Sequence, residues 1–153
     1  HGVSVDREGG KVVMKSEVLF DAGEAALSAQ GMSELKAVSR GLSKVLNDPN
    51  YRDMIEGVMV EGHTSSEGHS SQNRALSAER ALAALNFLLE QPEASAQRER
   101  YEGLFFAGAF GEGRPVRDAK GRELSVQSRR IELRILFNQA DTQRLTDDLS
   151  KLK

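Results

Sequence analysis

Hydrophobic and polar positions change period several times along the chain, and each change marks an element. Between Lys11 and Phe20, Val12, Met14, Ser16, Val18 and Phe20 share one parity while Lys15 and Glu17 take the other. That two-residue period predicts a strand buried on one side. After Asp21-Ala22-Gly23, the positions Leu27, Leu35, Val38, Leu42, Val45 and Leu46 are separated mostly by threes and fours, the period of an amphipathic helix. It should end in Asn47-Asp48-Pro49-Asn50, where the proline cannot continue a helix. Val58-Met59-Val60, followed by Gly62, reads as a central strand over Ile55 to Glu61. His63 to Arg74 has loop composition. Ser77 then opens a second helix, with Leu82, Leu85, Leu88 and Leu89 on one side and Pro92 beyond its end. Glu93 to Glu102 either extends that helix or forms a short one of its own. Leu104 to Phe110 reads as a third strand and Gly111 to Arg122 as a loop. From Arg129 to Phe137, Ile131, Leu133, Ile135 and Phe137 alternate with Arg130, Glu132, Arg134 and Leu136, which predicts a strand with one wet face.

The order is strand, helix, strand, helix, strand, strand. Helices that must cover those strands give an α+β fold, a two-layer α/β sandwich with a mixed sheet and both main helices on one face. Residues 11–140 form the predicted domain. His1 to Gly10 are expected to be a loose end or short strand, His1-Gly2 reading as a tag remnant, and Asp141 to Lys153 a tail or short polar helix. The chain reads as a domain excised from a longer parent.

At 153 residues and 16.8 kDa the chain fits one domain, large enough to bury a core without a metal or disulfide staple. With 39% apolar and 29% charged residues, it has globular composition. A formal charge of -2 provides no bulk positive field to collect nucleic acid or anionic lipid, so recognition must be local. The absence of cysteine excludes thiol nucleophiles, zinc ribbons and disulfide frameworks, and leaves cytoplasm and periplasm equally open. The apolar run Ala81 to Leu89 is interrupted by Asn86 and is far shorter than the roughly 20 residues of a membrane span.

Several constellations compete for chemistry. His63 and His69, with Glu61 and Glu67 nearby, offer metal-ligand types without a compact zinc spacing. The serines near Thr64 form no nucleophile elbow. Gly108-x-x-Gly111-x-Gly113 follows a strand but precedes no helix, so a dinucleotide loop fails on context and a tight turn remains. The loop Gly62 to Gly68 presents backbone donors and hydroxyls beside a helix capped by Ser77 and carrying Arg80 in its first turns. A guanidinium at a positive helix end suits a carboxylate; alternatively, it is a solvated helix arginine.

Glu61-Gly62-His63-Thr64-x-x-x-Gly68, Asn73-x-x-Leu76-Ser77-x-x-Arg80-Ala81, Gly108-x-x-Gly111-Glu112-x-x-Pro115 and Ser128-Arg129-Arg130-Ile131-Glu132 together resemble, in order and spacing, the OmpA/MotB carboxy-terminal domain. Val18-Leu19-Phe20-Asp21 before a helix is similar to that family's opening, and the likeness runs from about residue 18 to 137. The resemblance implies a non-catalytic, cofactor-free module that binds the peptide stem of peptidoglycan. In that family a loop Asp pairs with the ammonium of diaminopimelate and the Arg of Leu-Ser-x-x-Arg with its carboxylate. Carried over, Arg80 matches that Arg, Asn73 the loop Asn, Thr64 the loop Thr, Asp21 the acid after the first strand, and Arg129 the first of the paired arginines. Ser65 stands where the family has its Asp, and Ser128 where it has Asn. A hydroxyl bonds an ammonium about half as strongly as an ionised group, so affinity for diaminopimelate should fall. Glu67 either supplies the missing charge or is a solvated loop acid. Gly-His-Thr-Ser-Ser-Glu looks like MotB-like stator subunits, including the anti-phage Zorya type. By resemblance, the parent is a periplasmic, homodimeric protein that is anchored in a membrane, pairs with a membrane stator partner and holds the cell wall. The alternatives are an outer-membrane OmpA or Pal-type anchor, or a module that has lost wall binding and serves dimerisation or protein interaction.

Overall fold

The computed structural model describes residues 2–6, 10–138 and 150. Its elements are β1 (Val3–Asp6), β2 (Lys11–Lys15), α1 (Ser16–Leu19), α2 (Ala29–Asn47), a 3-10 turn at Arg52–Met54, β3 (Ile55–His63), α3 (Ser70–Leu89), α4 (Pro92–Ser95), α5 (Arg98–Leu104), β4 (Phe105–Gly111), α6 (Ser125–Ser128) and β5 (Arg130–Phe137). The five strands form one sheet in the order β1-β2-β5-β3-β4. β5 lies antiparallel to both β2 and β3, whereas β3 and β4 are parallel. The mixed-sheet α+β expectation therefore holds, with the last strand inserted at the centre.

One face of the sheet is apolar. Met14, Val58, Val60, Ile131 and Leu133 meet Leu35, Leu42 and Leu46 of α2 and Ala81, Ala84, Leu85 and Leu88 of α3 in a continuous core. Close approach of α3 depends on Gly62, where a Cβ would lie 2.0 Å from the Ser77 carbonyl oxygen.

Three expectations are corrected. The strand predicted over Lys11 to Phe20 ends at Lys15, and Ser16–Leu19 make a helical turn. Leu19 and Phe20 are both buried, whereas a strand with one solvated face, as predicted, would bury only one of two neighbours. The first long helix begins at Ala29 rather than near Leu27, which instead bridges Phe20. Ser28 caps it, its Oγ accepting from the Gly31 N–H at 2.9 Å and donating to the Val18 carbonyl at 3.0 Å. Most consequential, α3 starts at Ser70, within the predicted loop. Ser77 is inside it, donating to the Arg74 carbonyl and accepting from the Gly111 N–H.

The face of β5 predicted to be wet is buried over its first half, while Arg134 and Leu136 further along it are half-buried. Arg130 and Glu132 are buried, and β3 sets Glu61 and His63 beside them, also buried. Period two shows which side chains share a face but not what covers them. Here the carbonyls of Arg114 and Ser128 close over Arg130. The expected tail helix over Asp141 to Lys153 lies, Ser150 apart, outside the described residues. Among the described residues, no helix is long and apolar enough to cross a membrane.

Candidate functional site

The site forms where β3 ends. A bulge displaces the β3–β4 register between Gly62 and His63, so that His63 pairs with Gly111 and Phe110 is left over. Gly111 takes the left-handed conformation at φ 53° that closes the bulge, and its carbonyl receives the Thr64 N–H at 2.8 Å. Thr64 and Ser65 are thereby held buried at the strand exit. The Thr64 hydroxyl is enclosed with no hydrogen-bond partner among the described residues.

Asn73, in the first turn of α3, fastens this loop. Its Nδ2 donates to the carbonyls of Ser65 at 3.3 Å and Glu67 at 3.0 Å and to Glu112 Oε2 at 2.9 Å. Ser66 donates from its N–H and its hydroxyl to Glu123, and those bonds hold the Glu123 carboxyl below its usual range. Glu112 stood within the quoted Gly-Glu motif; Glu123 carried no signal in the sequence.

Arg80 lies ten residues into α3, roughly 15 Å along the axis, not in its first turns. Helix-end charge fades within a turn, so the macrodipole does not serve this side chain. Arg80 is only 5% exposed, yet its Nε donates to the Glu24 carbonyl at 2.8 Å and its guanidinium stacks 5.1 Å from the Phe20 ring centroid. Among the described residues no carboxylate pairs with it. Burial, and then the charge of Arg129, lower its proton affinity, which places the two guanidiniums within electrostatic reach of each other.

Arg129 Nη1 donates to the Ser65 hydroxyl at 3.3 Å and stands 3.6 Å from Glu67 Oε2. Glu67 is therefore ion-paired, though its side chain is 73% exposed. Contacts thus connect Ser65, Glu67, Asn73 and Arg129 directly; Thr64 is in the same loop, and Arg80 is linked to the set only by the charge of Arg129. Asp21 is exposed and its side chain touches none of them among the described residues. Its neighbours Phe20 and Glu24, missed from sequence, seat the arginine instead.

Of the four residues weighed as metal ligands, Glu61 and His63 come together, but His69 is exposed at the start of α3 and Glu67 is engaged by Arg129. Ligand atoms of Glu61, His63 and Glu132 do lie within 4.8 Å of one another. Lys11, Arg130 and Arg134 already pair with the two carboxylates, and His63 Nε2 is 3.2 Å from Glu61. Three cations against two anions make a poor home for a further positive ion; the cluster is a buried ion network under the site loop.

Burial by itself favours protonated Glu61, but bonds and charge from His63 and Arg134 outweigh it and hold the carboxyl at about 2, against an ordinary 4.5. A depressed carboxyl contributes stability above its unfolded value and loses it as pH falls through its folded one. Urea unfolding at several acidities should show stability declining between about pH 4.5 and 2, with a shallower decline in Glu61→Gln. Equal slopes in both proteins would contradict the assignment.

Comparison with known proteins gives one consistent picture. The model of the OmpA family matches residues 19–130. Motility protein B of Bacillus subtilis is 29% identical over 133 residues, which cover 84% of this chain and 46% of that protein; the chain spans about half the length of the curated relative it matches. The periplasmic domain of Helicobacter pylori MotB (residues 97–256) superposes with a TM-score of 0.66 at 16% identity, covering 97% of each chain. The cell wall anchor of the type VI secretion system from Pseudomonas aeruginosa gives 0.63 at 19% identity, covering 90% of this chain and 89% of that one.

Proposed function

The chain belongs to the OmpA family, and from that premise we propose that it is a non-catalytic peptidoglycan-binding module that ties a membrane-anchored parent to the cell wall from the periplasm, as a MotB-like stator subunit would. The observation that carries this reading is Arg80, a buried guanidinium held by the Glu24 carbonyl and the Phe20 ring, with no carboxylate of its own among the described residues and opposed by the charge of Arg129. A carboxylate from a stem peptide would relieve that repulsion and accept charge-assisted bonds from both arginines. Thr64 contributes an enclosed hydroxyl, Asn73 fixes the loop, and Glu67, near Arg129, is the acid that faces a ligand ammonium where Ser65 offers only a hydroxyl. Asp21, exposed and apart from the set, serves at the rim. In the same reading the parent works as a homodimer with a membrane partner.

Co-sedimentation with purified sacculi tests this. Wild type should be retained and Arg80→Ala released at least tenfold more readily, because one charged hydrogen bond contributes about 1.5–3 kcal/mol and 1.4 kcal/mol is a decade in affinity. A folded Arg80→Ala that is retained as well as wild type, or a wild type that is not retained, removes the proposal. Ser65 favours a second reading, because its hydroxyl is already engaged by Arg129: a module that has lost wall binding and works in dimerisation or protein interaction. Ser65→Asp should strengthen retention under the first reading and leave it unchanged under the second.

A further inference from the structure

Two segments grip the loop that follows β3. From α3, Asn73 takes the carbonyls of Ser65 and Glu67. The other grip comes from the stretch around α6. There Glu123 Oε1 accepts from the Ser66 N–H at 3.0 Å and its Oε2 from the Ser66 hydroxyl, while Arg129, which caps the end of α6, reaches Ser65 and Glu67. The consecutive residues Ser65, Ser66 and Glu67 are thus held in alternation by Arg129, Glu123 and Arg129 again.

These contacts are unequal. Arg129 meets Ser65 through a 3.3 Å bond to a neutral oxygen, and Glu67 through a 3.6 Å pair whose acid is 73% exposed. An ion pair so open to water holds little by itself. Glu123 offers both carboxylate oxygens, and bonds to an ionised acceptor are about twice as strong as neutral ones. The Ser66 hydroxyl first, then the Ser66 N–H, the Ser128 hydroxyl and the charge of Arg117, outweigh burial and favour its ionised form. Glu123 also stands on a closed frame: the Leu124 N–H donates to the Val116 carbonyl at 2.8 Å, the Val116 N–H to the Ser128 hydroxyl at 3.0 Å, and the Ser128 N–H to the Leu124 carbonyl at 2.8 Å. That frame runs directly into Arg129. The sheet does not fix the loop against it, because the ladder of β3 with β5 stops at the His63–Arg130 pair, before the loop begins.

We propose that Glu123 is a positioning residue for the wall-binding site: by clamping Ser66 it ties the loop that Asn73 fastens to α3 to the segment that delivers Arg129, and so sets the spacing of the Arg80 and Arg129 guanidiniums that share one ligand carboxylate. This inference rests on the wall-binding reading and adds to it a residue that touches no ligand. Arg80 and Arg129 repel each other, and the clamp opposes the separation that this repulsion favours.

Sacculus co-sedimentation and NMR of the full chain test it. Glu123→Ala should be retained at least tenfold less than wild type, the scale of one charge-assisted bond. Glu123→Gln, whose carbonyl oxygen still accepts one Ser66 bond, should fall between the two. Melting temperature should stay near that of wild type in both, since Ser66 is exposed and Glu123 half-buried and such substitutions cost little stability. Without any ligand, the Arg129 Nε–H should exchange with solvent several-fold faster in Glu123→Ala, as its hold on Ser65 and Glu67 loosens. Glu102→Ala, which removes an exposed carboxylate from its pair with Arg98 on α5, should change none of these. Unchanged Arg129 exchange in Glu123→Ala, retention equal to wild type, or a loss that Glu123→Gln shares in full and that tracks a lower melting temperature, each overturns the proposal. A wild type that does not bind sacculi removes the wall-binding reading itself, whereas failure of the clamp alone shows as wild-type binding with Arg129 exchange untouched by Glu123→Ala.

Discussion

Glu132→Gln is expected to destabilise the chain by about 3–5 kcal/mol, the cost of removing one member of a buried ion pair, and to lower its midpoint of thermal unfolding by on the order of 10 °C. Glu132 is 2% exposed and is the shared counter-ion of Lys11, Arg130 and Arg134. Lys11 and Arg134 are partly solvated and can turn to water, but Arg130 is buried, with its remaining bonds going to neutral carbonyls. Glutamine keeps the shape and removes the charge, so the loss measures an uncompensated guanidinium rather than a cavity. Adding Arg130→Met to the same chain should therefore recover part of the stability, because replacing a buried pair by apolar groups is often close to neutral. A thermal melt of Glu132→Gln within 1 °C of wild type, or a double variant that melts lower still, would show that the network does not operate as a buried charge balance.

Gly62→Ala should be strongly damaging for so small a substitution, at about 3 kcal/mol or more, at or above the usual upper end for overpacking. The new methyl would meet the Ser77 carbonyl oxygen at 2.0 Å and its carbon at 2.8 Å. These are backbone atoms in the middle of α3 and no rotamer change moves them away. Relief requires α3 to lift from β3, and α3 carries Asn73, Ser77 and Arg80. Retention on sacculi should accordingly fall together with the melting temperature, whereas Gly41→Ala, an exposed position inside α2 with open space at its Cβ, should leave retention unchanged and raise the melting temperature slightly, since alanine favours a helix interior over glycine by about 0.5–1 kcal/mol. If Gly62→Ala matched wild type in stability, the tight β3–α3 contact would not be what positions Arg80.

Much of the fold was readable before any coordinates. The alternation in Val12, Met14, Ile131, Leu133 and Ile135 and the three-and-four spacing from Leu35 to Leu46 belong to elements whose buried face is set by local periodicity. Those elements appear as β2, β5 and α2. Periodicity failed where the chain changes direction within a few residues. Ser16–Leu19 looks like a continuing strand because Val18 and Phe20 keep the parity, and the turn is revealed only by the bond from the Phe20 N–H to the Ser16 carbonyl at 2.8 Å. The start of α3 was misplaced because Ser, Gln and Asn are weak helix signals, and here tertiary bonds from Asn73 to Ser65, Glu67 and Glu112 secure the turn that composition did not announce.

The site divides along the same line. Sequence by itself determined the order of strands and helices, the family through its four spaced motifs, and most of the residues that gather at the β3 exit, since residue type and spacing are properties of the chain alone. Only the tertiary structure decided that β5 enters the centre of the sheet and that the first half of its charged side is buried. It also settled that Arg80 sits against Phe20 and the Glu24 carbonyl, beyond the reach of the helix end. The reason is physical: period and composition fix which way a side chain points from its own backbone. What it then meets, solvent, a counter-charge or a carbonyl from 56 residues away, depends on long-range packing that local spacing does not encode.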